Sequence, residues 1–188
     1  MEFKQYLIES ERTLKSLGKE LDLLHCATGL VTESAELVDA IKKHVFYGKP
    51  LDVVNIKEEI GDLLWYIAIP VRMFEEDFNI NSQNDDFYKK KRKNQIQTKE
   101  GLIKFFLYFD NMVNTFSKAI IVRPLPYDYE YIFEEINLIC EIYSLDLGEI
   151  MDININKLKA RFPLNFTNEN ALNRDLDKER AILEGEAK

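Results

Sequence analysis

Only two cysteines occur in the 188 residues, Cys26 and Cys140, each inside an apolar pattern. That excludes a disulfide framework and a cysteine-ligated zinc site, and points to a reducing compartment. Seven glycines and five prolines are too few for an all-β protein with many tight turns. No apolar run is long enough or uncharged enough to cross a bilayer. The first residues, "MEFKQYLIESERTLK", are mixed in charge and lack the apolar centre of a signal peptide. The expectation is a soluble, cytoplasmic protein. Basic residues are outnumbered, 25 Lys and Arg against 33 Asp and Glu, for a net charge of -8. A chain this acidic is unsuited to general nucleic-acid binding. It can still take up polyphosphate through a cation held by its carboxylates.

Apolar residues are plentiful: 46% of the chain is hydrophobic and 12% aromatic, which excludes disorder. The length fits one domain with a sizeable core. No period-two pattern persists, and apolar residues recur at helical spacing, so the chain reads as all-α. A first helix spans about residues 2–15, ended near Gly18. A second runs from about Leu21 to Tyr47, where Gly48 and Pro50 stop it. Asp52 caps a third, Val53 to about Met73, with Pro70 near its end. Residues 75–98 read as an exposed connection. Thr98 caps a helix to about Val122, and a further helix covers about 129–143. Asp146 with Glu149 forms a capping box for a helix to about Phe162. The tail reads as a turn and a short charged helix.

Two of these helices carry acids where apolar residues are expected. In "LVTESAELVDAIKKH", Leu30, Leu37 and Ile41 form one stripe, and in "NIKEEIGDLLWYIA", Ile56, Leu63 and Ile67 repeat its spacing. At 100° per residue, Glu33 and Glu59 both fall about 60° from the stripe centre, and Glu36 and Asp62 both fall about 120° away. Packed antiparallel through their stripes, the helices line one edge of the seam with four carboxylates. Unpaired, these acids raise one another's pKa and cost stability, and a divalent cation removes that cost. Oxygen donors without His or Cys select a hard ion, Mg²⁺ first and Mn²⁺ second. A di-iron bundle needs Glu-x-x-His; the two histidines, His25 and His44, follow no such glutamate. The competing reading is a set of solvent-facing acids on amphipathic helices, which the matched register on neighbouring helices disfavours.

"ESAE", 22 residues, then "EIGD" resembles the E-x-x-E…E-x-x-D signature of the MazG-like superfamily of all-α nucleoside triphosphate pyrophosphohydrolases. "KKHVFYGKPLD" and "EEIGDLLWYIA" are similar to the MazG-like proteins common in bacteriophages, and "NINKLKARFPLNFT" is similar to that group's C-terminal motif. The resemblance covers about residues 21–74 and 144–180. It implies a four-helix-bundle core, a homodimer or homotetramer, and Mg²⁺ held by Glu33, Glu36, Glu59 and Asp62. It also implies hydrolysis of a (d)NTP between the α and β phosphates. Asn154, Lys157 and Arg161 are implied phosphate contacts, against a reading as a solvated basic face. Lys43, Tyr47 and Lys49 are further candidates for phosphate or base. Trp65 is offered for stacking on a base, against the favoured reading as packing; both histidines are read as ordinary helix residues, and Glu58 as a structural or supporting neighbour of the acids. The departure is an insertion at about 78–128 with the basic run "KKKRK", read as a solvated loop. A catalytically weak nucleotide- or partner-binding relative, and a dUTPase, stay open as alternatives.

Overall fold

The computed structural model describes residues 1–74, 93–94, 96–122, 126–163 and 167–186. Among them are eight helices and no strand. They are α1 (Phe3–Glu11), α2 (Lys19–Tyr47), α3 (Val53–Met73), α4 (Lys99–Val122), α5 (Pro126–Tyr143), α6 (Leu147–Arg161), α7 (Asn168–Leu172) and α8 (Leu176–Leu183). The all-α reading of the sequence holds.

The helix boundaries follow local chemistry. Gly18, with φ of 98°, precedes α2, which starts at Lys19. Gly48 ends α2 in the left-handed region at φ 66°, a conformation that costs glycine little. The Asp52 side chain accepts from Asn55 N at 3.0 Å, and Asp146 accepts from Glu149 N at 2.7 Å, so both expected N-caps form. Thr98 caps α4 through Gly101 N at 2.9 Å. α5 begins at Pro126, earlier than the periodicity suggests, because proline suits the first helical position. α1 stops at Glu11, short of the expected Lys15.

The helix α2 lies between α3 and α4, and α1 and α6 pack on the other side of α3. The expected stripes meet: Leu30, Leu37, Ile41, Ile56, Leu63 and Ile67 are all fully buried. Each is worth roughly 1.5–3 kcal/mol of hydrophobic burial. The segment read as an insertion is represented by α4, which buries Phe105, Phe106, Phe109, Val113, Phe116 and Ile120. Its Asp110 also accepts from Ser34 Oγ on α2 at 2.8 Å. This helix is therefore part of the core beside the acidic helices. Of "KKKRK", only Lys93 lies within the described residues, and it pairs with Glu141 on α5. The "LNF" at 164–166 in the C-terminal motif also lies outside them.

Candidate active site

The face of α3 that looks away from the core stripe presents Asn55, Glu58, Glu59, Asp62, Trp65 and Tyr66 to one cleft of about 630 Å³. Glu33 and Glu36 of α2 line the same cleft. Its far wall comes from the end of α6 and from α7 and α8.

Three of the four predicted acids converge. Glu33, Glu59 and Asp62 each offer a carboxylate oxygen, and these oxygens lie within 4.8 Å of one another. Glu36 falls outside that group, exposed at the cleft edge, although its angle from the stripe matches that of Asp62. Glu59 is 3% exposed. Its pKa is pushed up to about 9 by burial, then by its hydrogen bond with Glu33 and the charge of Asp62. Glu33 is also raised, by burial and then by Asp62. Burial and like charge thus both favour the protonated forms of Glu59 and Glu33.

Asp62 is fixed from behind. Lys157 Nζ donates to both its oxygens, at 2.6 and 2.8 Å, and to Glu58 at 3.2 Å. Asn154 Nδ2 donates to Asp62 Oδ1 at 2.7 Å, and the Asn154 carbonyl accepts from Tyr6 at 2.8 Å. Gly61 makes this approach possible: a Cβ there would sit 2.9 Å from Asn154. Burial opposes the charge on Lys157, but Asp62 and Glu58 outweigh it and hold its pKa above the ordinary value. So Asn154 and Lys157, expected from the resemblance to contact phosphate, are both buried and engaged with the acid cluster.

Arg161 lines the cleft and donates to Glu179 through Nε at 2.8 Å and Nη2 at 2.6 Å. Arg174 donates to Glu179 Oε2 at 2.7 Å through Nη2 and at 3.2 Å through Nε. Burial would raise the Glu179 pKa, but the two guanidiniums win and hold it below the usual range. Lys43 instead pairs with Asp39 at 2.6 Å, and Tyr47 is exposed at the end of α2; neither lines the cleft. The Lys49 carbonyl meets His44 Nδ1 at 2.9 Å, and Lys49 does not line the cleft.

At the aromatic end of the cleft the sequence reading weighed Trp65 and His25 but did not single out Tyr66. Trp65 packs edge-on to Tyr66, with ring centroids 4.9 Å apart, and His25 lies 5.4 Å from Tyr66. All three line the cleft. Tyr66 seats its ring on α2 at Gly29, where a Cβ would come within 2.1 Å of it. Trp65 Nε1 donates to Thr13 Oγ1 at 2.8 Å, which fixes its plane while leaving one face to the cleft. Burial lowers the pKa of His25, outweighing the opposing charge of Asp22. Spacing offered a signal here, since Trp65 and Tyr66 follow Asp62 by three and four residues on a helix. No comparable signal marks Arg174 or Glu179 in the tail.

Among the described residues no helix is long and apolar enough to cross a membrane. Comparison with known proteins gives one match. The family model for the MazG nucleotide pyrophosphohydrolase domain matches residues 22–96, a span that holds all four acids and both helices of the seam. No curated protein and no solved structure matches the chain. The helices α6 to α8, which build the far wall, lie beyond the matched span. Over residues 22–96 the chain is similar to the MazG nucleotide pyrophosphohydrolase domain.

Proposed function

We propose that the protein is a Mg²⁺-dependent pyrophosphohydrolase of (d)NTPs, releasing (d)NMP and pyrophosphate. The observation that carries this is the convergence of Glu33, Glu59 and Asp62 in a cleft that also has an aromatic end. The donor set fits a hard divalent cation: carboxylate oxygens only, close together, and biased toward protonation in a cation's absence. Glu33, Glu59 and Asp62 would hold Mg²⁺, with Mn²⁺ as a substitute. The ion would neutralise phosphate charge and polarise the attacking water.

The chain's own residues do the rest. Lys157 and Asn154 hold Asp62 in one orientation, so that its remaining lone pairs face the cluster. The described lining holds seven carboxylates and three guanidiniums, so a triphosphate enters only together with cations. His25, Trp65 and Tyr66, packed edge-on to one another, offer an aromatic corner for the base. In the reaction, a water oxygen bonds to the α-phosphorus in line with the leaving group. The bond from that phosphorus to the α–β bridging oxygen breaks, and pyrophosphate leaves with the electron pair. A carboxylate not engaged with the ion would take the water's proton, and Glu36, in the cleft but outside the three-oxygen group, is the candidate for it.

A homo-oligomer belongs to the same reading. Leu17, Leu21, Leu24 and Val31 are exposed along and just before one face of α2, apolar surface of the kind a second copy covers.

The test is product analysis on a panel of dNTPs and NTPs, with Mg²⁺ and with chelator, for wild type and Glu59→Ala. Metal-dependent release of monophosphate and pyrophosphate that the substitution abolishes supports the reading. A ranking dominated by dUTP would make the enzyme a dUTPase. Absence of turnover on every nucleotide by folded protein would leave a binding protein.

A further inference from the structure

The far wall of the cleft is more basic than its residue list suggests. Of the three guanidiniums lining it, Arg180 is fully compensated, by Glu184 at 2.5 Å and Asp52 at 3.4 Å. The other two, Arg161 and Arg174, share one carboxylate. Their Nη2 atoms both reach Glu179 Oε2, at 2.6 and 2.7 Å. Two like charges are thereby held side by side on one carboxylate. Glu179 takes two donors from each guanidinium, Nε and Nη2, out of the five that each possesses. Glu179 itself is 4% exposed, so the pair stands on a rigid, buried support. Arg174 lines the same cleft as Glu58, Glu59 and Asp62.

We propose that Arg161 and Arg174, paired on Glu179, form the receptor for the terminal phosphates of the substrate. The inference rests on the pyrophosphohydrolase reading above and goes further, by naming what selects a triphosphate over a diphosphate. A substrate whose α-phosphate lies at Glu33, Glu59 and Asp62 has its β and γ phosphates leading away from the cluster. Two adjacent planar guanidiniums match two adjacent phosphates, because each offers parallel N–H donors to a pair of oxygens. The pyrophosphate formed when the α–β bond breaks stays on this pair until it leaves, on the side of α7 and α8. Arg161 alone belongs to the helix that supports Asp62. Arg174 comes from the tail, so the tail completes the site.

The test measures equilibrium binding of inorganic pyrophosphate in saturating Mn²⁺ by calorimetry, with Mn²⁺ binding itself titrated separately. Wild type, Arg174→Gln and Arg180→Gln are compared. The expected result is that Arg174→Gln weakens pyrophosphate binding on the order of tenfold or more, as loss of a charge-assisted bidentate contact requires. Its Mn²⁺ affinity and melting temperature should stay near those of wild type, and Arg180→Gln should bind pyrophosphate as wild type does. In turnover, Arg174→Gln should raise KM for a triphosphate with little change in kcat, and should affect a nucleoside diphosphate less. Unchanged pyrophosphate binding in Arg174→Gln overturns the proposal. So does equal loss of Mn²⁺ and pyrophosphate, which would mark Arg174 as structural. Wild type that binds Mn²⁺ but no pyrophosphate overturns the receptor and leaves the metal site standing. Wild type that binds neither overturns both readings.

Discussion

Two glutamates in this protein are buried to nearly the same degree, Glu59 at 3% exposure and Glu179 at 4%, yet their electrostatics are opposite. Glu59 sits among acids and is pushed up to about 9. Glu179 sits between Arg161 and Arg174 and is held below the ordinary range. Burial alone raises the pKa of both, so the partners decide the outcome. The chain itself supplies the countercharge for Glu179. It does not supply one for Glu59, whose neighbours leave the negative charge in excess. A carboxylate placed this way has no stabilising role until a cation arrives. The contrast separates the part of the cleft built for support from the part built for a ligand.

The sharpest way to break the comparison is to neutralise each glutamate without changing its shape. Glu59→Gln should reduce hydrolysis on the order of 1,000-fold, the scale of losing one main electrostatic element of a site. At the same time it should raise the melting temperature of metal-free protein at pH 8, because the amide removes a charge that the site cannot accommodate. Glu179→Gln should do the reverse to stability. It leaves two guanidiniums side by side without their anion and should cost about 2 kcal/mol, the lower end for breaking a buried ion pair with one partner half exposed. For a chain of this size that corresponds to a melting temperature lower by roughly 4–8 °C. Equal melting temperatures for the two variants would erase the distinction. Calorimetry and steady-state rates read both effects.

The pH dependence sharpens it further. The Glu59 pKa in the folded state lies above its unfolded value, so the contribution favouring the fold is fully present below about pH 4.5. It is lost as pH rises from there through about 9. Glu179 runs the other way. Its folded pKa is depressed, so its contribution is present above the unfolded carboxylate range and is lost as pH falls through the folded value. Metal-free wild type should therefore lose stability between pH 5 and 8 relative to Glu59→Gln. Mg²⁺ or Mn²⁺ should raise the melting temperature more at pH 8 than at pH 5, since at pH 5 the ion must displace a proton. A metal-induced shift that does not grow with pH would remove Glu59 from the ion's coordination.

Much of this contrast was readable before any coordinates, but only on one side. The acids of α2 and α3 repeat one another at fixed angles from two apolar stripes, but the angle does not separate Asp62, which joins the cluster, from Glu36, which does not. Helical periodicity carries such information because each helix faces one core. Asn154 and Lys157 have helical spacing as well, but spacing could not tell a solvated basic face from a pair of struts turned inward to Asp62. The deciding fact is Gly61, whose missing side chain lets α6 come close to α3. Glu179 was illegible for a different reason. It lies in a short charged helix, 18 residues from Arg161, and its burial depends on where a tail with no strong apolar period folds back. The role of α4 as core was hidden in the same way. Its apolar face was plain, but its packing along α2 is a long-range fact.

The smallest expected effect on stability lies in the strut behind Asp62. The Tyr6 hydroxyl is fully buried and donates to Asn154 Oδ1 at 2.8 Å, with the Gly61 carbonyl also within reach at 3.1 Å. Because the Asn154 carbonyl faces Tyr6, its amide N–H₂ must face Asp62. Tyr6→Phe keeps the ring and its packing and removes only the hydroxyl. It should cost about 1 kcal/mol of stability, one buried hydrogen bond. The effect on the site should be larger than the effect on the fold. With the amide free to turn, Asp62 loses one of its two fixed donors, and metal affinity should fall by about 10- to 100-fold, the usual consequence of loosening a ligand's support. Lys157 still holds Asp62 in this variant, so the cluster survives and excess Mn²⁺ should restore most of the rate. A variant that loses stability while its Mn²⁺ titration matches wild type would show that Tyr6 serves the core alone. In that case the orientation of Asp62 is set by Lys157, and the strut ends there.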